Sequence, residues 1–321
     1  MTQLPVLQDG GGLPRINRPL DNTALSAYMA CPREYFLSMV LHRRGEGKSA
    51  ALAFGSLFHN ILETHYKTGG AVPLVEAIAE GWWKKNGVEV EGDYRTFDRA
   101  MLDYKRYRDK WGQMPQREQG ETVGFPDEPM VEIAADVMVS GMIHPWAVKL
   151  DRIIELGGLH YVEDHKTTSR LDKNYYSSFE LSNQMMGYTT TAQALMPGLR
   201  IVGVRLNVIH CIKSGTNFER QLFTYTREQL AEWKQNTNSW MRRLDGDMGQ
   251  WAEDYRGVDG LWNLPQPGQQ WPLAHYGDNG CSRKYGLCAY HRACSVAAPF
   301  RHRVMEEYPV NEWNPLTVND E

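Results

Sequence analysis

The chain has 321 residues, 42% hydrophobic and 23% charged, which excludes wholesale disorder and suits one large domain or a core with insertions. A net charge of −4 excludes a protein that coats nucleic acid through phosphate contacts alone, though not an enzyme with a local basic groove beside an acidic metal site. No apolar run approaches the roughly 18 residues of a membrane helix, and the first residues carry no basic-then-apolar signal, so the expectation is a cytoplasmic location without a membrane partner.

Residues 1–20 contain Gly10-Gly11-Gly12 and three prolines, and read as a flexible arm. A helix capped by Asp21 or Thr23 is expected to reach about Leu41, with Pro32 either kinking it or restarting it just after Cys31. Ala51–Lys67 reads as a second helix with Leu52, Leu57, Phe58, Ile61, Leu62 and Tyr66 near helical spacing. Residues 74–112 read as further helix, part of an insertion over about 68–125. Its Trp82, Trp83, Tyr104 and Trp111 fit the insertion's own core better than a base-stacking channel. From Met130 the texture turns β-branched. Strands are expected over 131–139, 147–156 and 159–166, then a helix over 179–195, strands over 201–212 and 218–226, and a helix over 228–244. The remainder is loop-rich. This order implies an α/β fold with helices around a mixed sheet.

The sharpest local signal lies around Gly157-Gly158, a two-residue turn between strand-like runs. Asp151 sits on the first strand. Asp164 and Lys166 alternate on the second, so they share one face, while Glu163 and His165 take the other. Two carboxylates and an ammonium converging at a strand end suit a hard divalent cation and a phosphate ester. Glu132 is read as an extra metal ligand or as a carboxylate supporting the ligands, and Glu155 and Glu163 as solvated.

Three more features accompany the hairpin: Gly55-x-x-x-His59 on the second helix, Gln184-x-x-x-Tyr188 on the helix after it, and cysteines toward both ends of the chain. In this order they resemble the RecB-like, iron–sulfur branch of the PD-(D/E)XK nuclease superfamily. That branch includes the CRISPR-associated Cas-four exonucleases, AddB-type nuclease domains and phage-encoded relatives. The resemblance covers about residues 22–66 and 130–298. It implies a restriction-endonuclease-like core: a central mixed sheet flanked by helices, a helical insertion, and N- and C-terminal segments joined by an iron–sulfur cluster. The expected division is one nuclease domain over 21–298, with its core over 130–245, a cluster-binding segment over 246–298 and a tail over 299–321. By resemblance His59, Asp151, Asp164 and the backbone carbonyl of His165 hold Mg²⁺ or Mn²⁺, Lys166 joins Asp164, Asp151 and His59 in catalysis, and Gln184 and Tyr188 face the DNA. The chain departs from the pattern at Val148, where the family keeps a glycine before Asp151. The Ile143-His144-Pro145-Trp146 segment has no explanation at this level.

Cys281, Cys288 and Cys294 are spaced C-x6-C-x5-C, with Cys31 far upstream. Four thiolates suit zinc or an iron–sulfur cluster, and the short C-x2-4-C pairs usual for structural zinc are missing. The resemblance implies a [4Fe–4S] cluster at these four residues. Cys211, on an apolar strand, reads as a core residue. The function expected is a metal-dependent exonuclease hydrolysing phosphodiester bonds at DNA ends, single-stranded by preference, in recombination, repair or DNA processing. Two alternatives stay open. One is a nuclease subunit active only with a helicase, recombinase or integrase partner. The other is a DNA-binding assembly subunit that does not cut.

Overall fold

Two glycines set the phase of the central sheet. The structure, a computed structural model, describes residues 20–44, 49–112, 119–125, 128–275, 280–283, 286–312 and 314–316, so nearly all of the expected N-terminal arm lies outside the described residues. Gly157 and Gly158 adopt φ of +61° and +77°, the two left-handed conformations of a type I′ turn, and join β5 (Trp146–Leu156) to β6 (Leu159–Thr168). Before them come β1 (Glu121–Thr122), the small hairpin β2 (Gly124–Phe125) and β3 (Glu128–Pro129), and β4 (Val131–Val137). After them come β7 (Ile201–Ile212) and β8 (Gly215–Thr224). These form a mixed sheet in the order β1-β5-β6-β7-β8, with β4 also on β5; only β6 and β7 run parallel. The parallel step requires a crossover, supplied by a short turn of helix α6 (Ser177–Glu180) and by α7 (Asn183–Leu195).

The chain divides into two compact units. One holds the described residues of 47–234, and so the whole sheet. In it α3 (Ala50–Thr68) is capped by Ser49, whose hydroxyl accepts from Leu52 N–H, and stops at left-handed Gly69. Leu57, Phe58, Ile61 and Leu62 are buried as the spacing predicts and Phe54 joins them, whereas Leu52 is exposed. They pack with α4 (Val72–Asn86), α5 (Phe97–Gly112) and Ile209, Cys211 and Phe218 of the sheet in one core. Trp83, Tyr104 and Trp111 belong to that core, as expected, and Cys211 is buried beside Asp103. The expected helix over 74–112 is broken across residues 87–96, where Gly87 and Gly92 interrupt it.

The other unit holds the described residues of 1–46 and 235–314. Asp21 caps α1 (Asn22–Ala30) by accepting from Ala24 N–H. Cys31 is extended, and Pro32 opens α2 (Pro32–Tyr35) in the first helical turn, where a missing N–H costs nothing. A π-helical turn over Phe36–Val40 follows.

Several boundaries differ from expectation. Ser182, whose hydroxyl accepts from Met185 N–H, starts α7 later than residue 179. β8 starts at Gly215 because a tight turn pairs Gly215 with Ile212. Helix α8 (Arg227–Tyr255) runs through Gly246, since one helical glycine costs only about 1 kcal/mol against a long packed face. The C-terminal stretch, expected to be irregular, contains α9 (His291–Ser295) and α10 (Ala298–Glu306) along with the two-residue strands β9 (Ser282–Arg283) and β10 (Gly286–Leu287). Trp146 is buried edge-on against Trp233, and Gly187 lets α7 approach both, since a Cβ there would lie 3.1 Å from the Trp146 ring. This gives the 143–146 segment a packing role.

Candidate active site

The β5–β6 register pairs Arg152 with Glu163, which sets Asp151 across from Asp164 on the opposite face of the hairpin. β4 pairs Val131 with Arg152 and Ile133 with Leu150, and so brings Glu132 opposite Asp151 from the other side. Glu132 has a φ of +55°, a left-handed conformation costly for a side-chain-bearing residue. On α3, Gly55 lies one turn before His59. A Cβ on Gly55 would sit 2.9 Å from Thr167 Oγ1, so the glycine lets the helix approach β6.

The outcome is a cluster in which ligand atoms of His59, Glu132 and Asp151 all lie within 4.8 Å of one another. His59 Nδ1 is 3.3 Å from Asp151 Oδ2, and the His165 N–H donates to the same oxygen at 2.7 Å. Beside it, Lys166 Nζ donates to Asp164 Oδ1 (3.0 Å) and to Gln184 Oε1 (3.2 Å). Gln184 Nε2 in turn donates to Tyr188 OH at 2.8 Å. The residues expected to act together are therefore joined in two groups, with Asp164 turned to the lysine and Glu132 in the place nearest His59 and Asp151. Glu132 is the member sequence spacing places least well, because the 138–145 connection is no tight turn and does not reveal the β4–β5 register.

Burial dominates the electrostatics. It opposes ionisation of Asp151, yet the neighbouring His59, with the His165 N–H, holds that carboxyl well below the usual range. Burial would lower His59, but Asp151, then Glu132 and Asp164, lift it to about 9. Glu132 is pushed up to about 7 by burial and by Asp151's charge, against the pull of Lys149 Nζ 2.7 Å away. Asp164 is raised by burial, with Lys166 opposing. Asp164 Oδ2 and Glu132 Oε2 are buried and accept no well-aligned hydrogen bond, although each lies within ion-pair range of its lysine. An imidazole, several carboxylates and two under-satisfied oxygens form a donor set suited to a borderline-to-hard divalent cation.

Val148 is buried at 2% exposure and pairs with Ala135 in an uninterrupted β5, so the missing glycine is absorbed without a bulge. Glu155 is solvent-exposed as expected. Glu163 is not: it is fully buried, where Arg205 Nε donates to Oε2 at 2.5 Å and Arg152 Nη1 lies 3.4 Å from Oε1. Its partner arrives 42 residues later through the parallel β6–β7 register.

In the other unit, a chain of hydrogen bonds runs between the segments bearing Cys31 and the three later cysteines. Arg33 N–H donates to Leu273 O, Arg33 Nη1 approaches Cys294 Sγ at 3.5 Å, Cys281 Sγ approaches His275 O at 3.7 Å, and Cys288 N–H donates to Cys281 O. The four thiols are not gathered as a ligand group. Among the described residues, only the His59–Glu132–Asp151 set brings three such atoms within 4.8 Å of one another, whereas tetrahedral zinc would need sulfurs about 3.8 Å apart.

The sheet topology and the carboxylate–lysine hairpin define an α/β nuclease core. The model of the PD-(D/E)XK nuclease superfamily matches residues 22–295, and the chain belongs to that superfamily, whose members use divalent metals. Among solved structures the chain is similar to a "Putative exonuclease" from Eubacterium rectale, with 12% identity, a TM-score of 0.46, and coverage of 75% of this chain and 88% of that one. It is also similar to SSO0001, with 12% identity, a TM-score of 0.24, and coverage of 67% and 84%. No curated protein matches the sequence. Among the described residues no helix is long and apolar enough to cross a membrane.

Proposed function

We propose that the chain is a Mg²⁺- or Mn²⁺-dependent exonuclease that hydrolyses phosphodiester bonds at DNA ends. The observation that carries this reading is the His59–Glu132–Asp151 cluster beside the Asp164–Lys166–Gln184 chain. His59, Asp151 and Asp164, with the His165 carbonyl and Glu132, would hold the cation. When bound, it supplies Lewis-acid polarisation of the phosphate and a more acidic water. Lys166 would orient the attacking water and offset charge developing on the phosphate oxygens. Gln184 accepts from Lys166 and donates to Tyr188, so both would position the ammonium, and both are proposed to face the DNA.

The one-plus-three order of Cys31, Cys281, Cys288 and Cys294 is what supports reading them as ligands of a structural [4Fe–4S] cluster; their thiols do not form a ligand group in the structure. Anaerobic purification should give a brown protein with a broad absorbance band near about 400 nm; a colourless chain that carries zinc would replace this assignment. Work on cytoplasmic DNA in recombination, repair or processing, with a helicase, recombinase or integrase partner, fits the same reading.

The test of the nuclease is cleavage of end-labelled linear and closed circular DNA with Mg²⁺, Mn²⁺ or EDTA. Linear DNA should be degraded and circular DNA spared. Lys166→Ala should lower the rate by about 10²–10³-fold or more while folding is retained. Full activity in that variant overturns the assignment.

A further inference from the structure

On the other side of the hairpin from Asp151 lies a second, positively charged site that the nuclease reading does not use. It is a cavity of about 280 Å³ whose lining includes Tyr66, Arg108, Trp111, Arg152 and Arg220. Its volume sits at the lower edge of small-molecule sites, which start near 300 Å³, so it suits a compact ligand.

Arg152 is only 3% exposed, and its guanidinium lies 3.8 Å from the centroid of the Tyr66 ring. Nη2 donates to Gly120 O at 2.8 Å, and Nη1 lies 3.4 Å from Glu163 Oε1. Arg220 stacks over Trp111 at 4.1 Å and donates from Nη2 to Tyr107 OH at 3.1 Å. Arg205 lies 2% exposed on Glu163. Three guanidiniums thus share one carboxylate, leaving two positive charges over, with Arg108 and the exposed Asp109 at the rim. An excess of positive charge held partly out of water is costly unless an anion completes it. The planar fork of arginine matches phosphate oxygens in pairs. His65, also in the lining, is held down to about 4, first by burial and then by Arg152, Arg108 and Arg220, so it adds no charge and reports the cationic field.

We propose that this cavity is a phosphate-binding site that takes a terminal phosphate monoester, either on the end of a nucleic-acid strand or on a free mononucleotide. The stacked rings fix the guanidiniums in advance, so little side-chain freedom is lost on binding. The choice of nucleic acid as the source rests on the nuclease reading; the phosphate chemistry does not.

The experiment uses the whole chain in EDTA, so that no strand is cut. Fluorescence anisotropy compares one short labelled oligonucleotide with a 5′-phosphate, a 3′-phosphate or hydroxyl ends, and thermal melts are recorded with inorganic phosphate and a mononucleotide at matched ionic strength. A phosphate-ended strand should bind about tenfold tighter than its hydroxyl twin. Arg220→Gln together with Arg108→Gln should erase that gap, while Arg220→Lys should retain part of it; circular dichroism confirms folding. If the strands bind alike but free phosphate or the mononucleotide raises the melting temperature of the wild type and not of the variant, the site stands and its ligand is the free ester. Binding indifferent to phosphate in every arm, or a preference unchanged in the variant, overturns the proposal. Cleavage assays on the same preparation keep the two readings apart: binding without cutting fails the nuclease, and cutting with no effect of phosphate in any binding or melting arm fails the cavity.

Discussion

The two faces of the β5–β6 hairpin make opposite electrostatic bargains one residue apart. On one face Asp151 and Asp164 stand across from each other, and Glu132 joins them, so carboxylates crowd against a histidine and a lysine. On the other, Arg152 and Glu163 stand across from each other, and Arg205 and Arg220 join them. The acid face leaves the Glu132 and Asp164 carboxyls raised and two of their oxygens under-satisfied, a donor set that suits a cation. The basic face holds its one carboxylate far below the usual range despite burial, because Arg205 and Arg152 surround it. One strand pair therefore serves both charges of a metal–phosphate chemistry, and period-2 alternation keeps them from neutralising each other.

Removing the single buried anion should show the largest difference. Glu163→Gln leaves the guanidiniums without their counter-charge and should destabilise the fold by about 3–5 kcal/mol in urea unfolding. A loss below about 1 kcal/mol would mean that the arginines are solvated in solution. Acid comes next. His65 and His165 are both depressed to about 4 by burial, so between pH 6.5 and 4 the unfolded chain binds protons that the native chain refuses. Their contribution is present above pH 6.5 and is lost as pH falls toward 4, a drop of about 2–3 kcal/mol per histidine. Unfolding curves across that window in EDTA check it. On the acid face the sign reverses. Glu132 is raised to about 7, so its ionised form burdens the native state as pH rises from 4.5 through 7. Glu132→Gln should thus stabilise the metal-free chain at pH 8 by about 1–2 kcal/mol while weakening Mn²⁺ binding, measured by melting and by titration calorimetry. Smallest is Gly55→Ala. Helix propensity favours it, but a Cβ 2.9 Å from Thr167 Oγ1 must push α3 away; a net loss of about 1 kcal/mol with slower cleavage is expected.

What was legible in the sequence follows from the range of each interaction. Asp164 and Lys166 could be put on one face because alternation is local, and the Gly157-Gly158 turn fixed Asp151 opposite Asp164 over a dozen residues. The buried role of Glu163 was hidden, because its partner Arg205 depends on a parallel register set by a crossover helix. The cation-crowded cavity was hidden for the same reason: Arg152, Arg205 and Arg220 come from three strands, and Trp111 from a helix. The four cysteines were legible as a pattern, while the gathering of their sulfurs was not something spacing could settle.

The type I′ turn at Gly157-Gly158 acts as a parity device. Adding one residue there and keeping the pairing beyond it would exchange inside for outside along β6, so that Asp164 would point toward the arginines and Glu163 toward His59. Two added residues would restore the original phase. Natural or engineered variation at this turn should therefore be filtered by odd and even length before it is filtered by residue type.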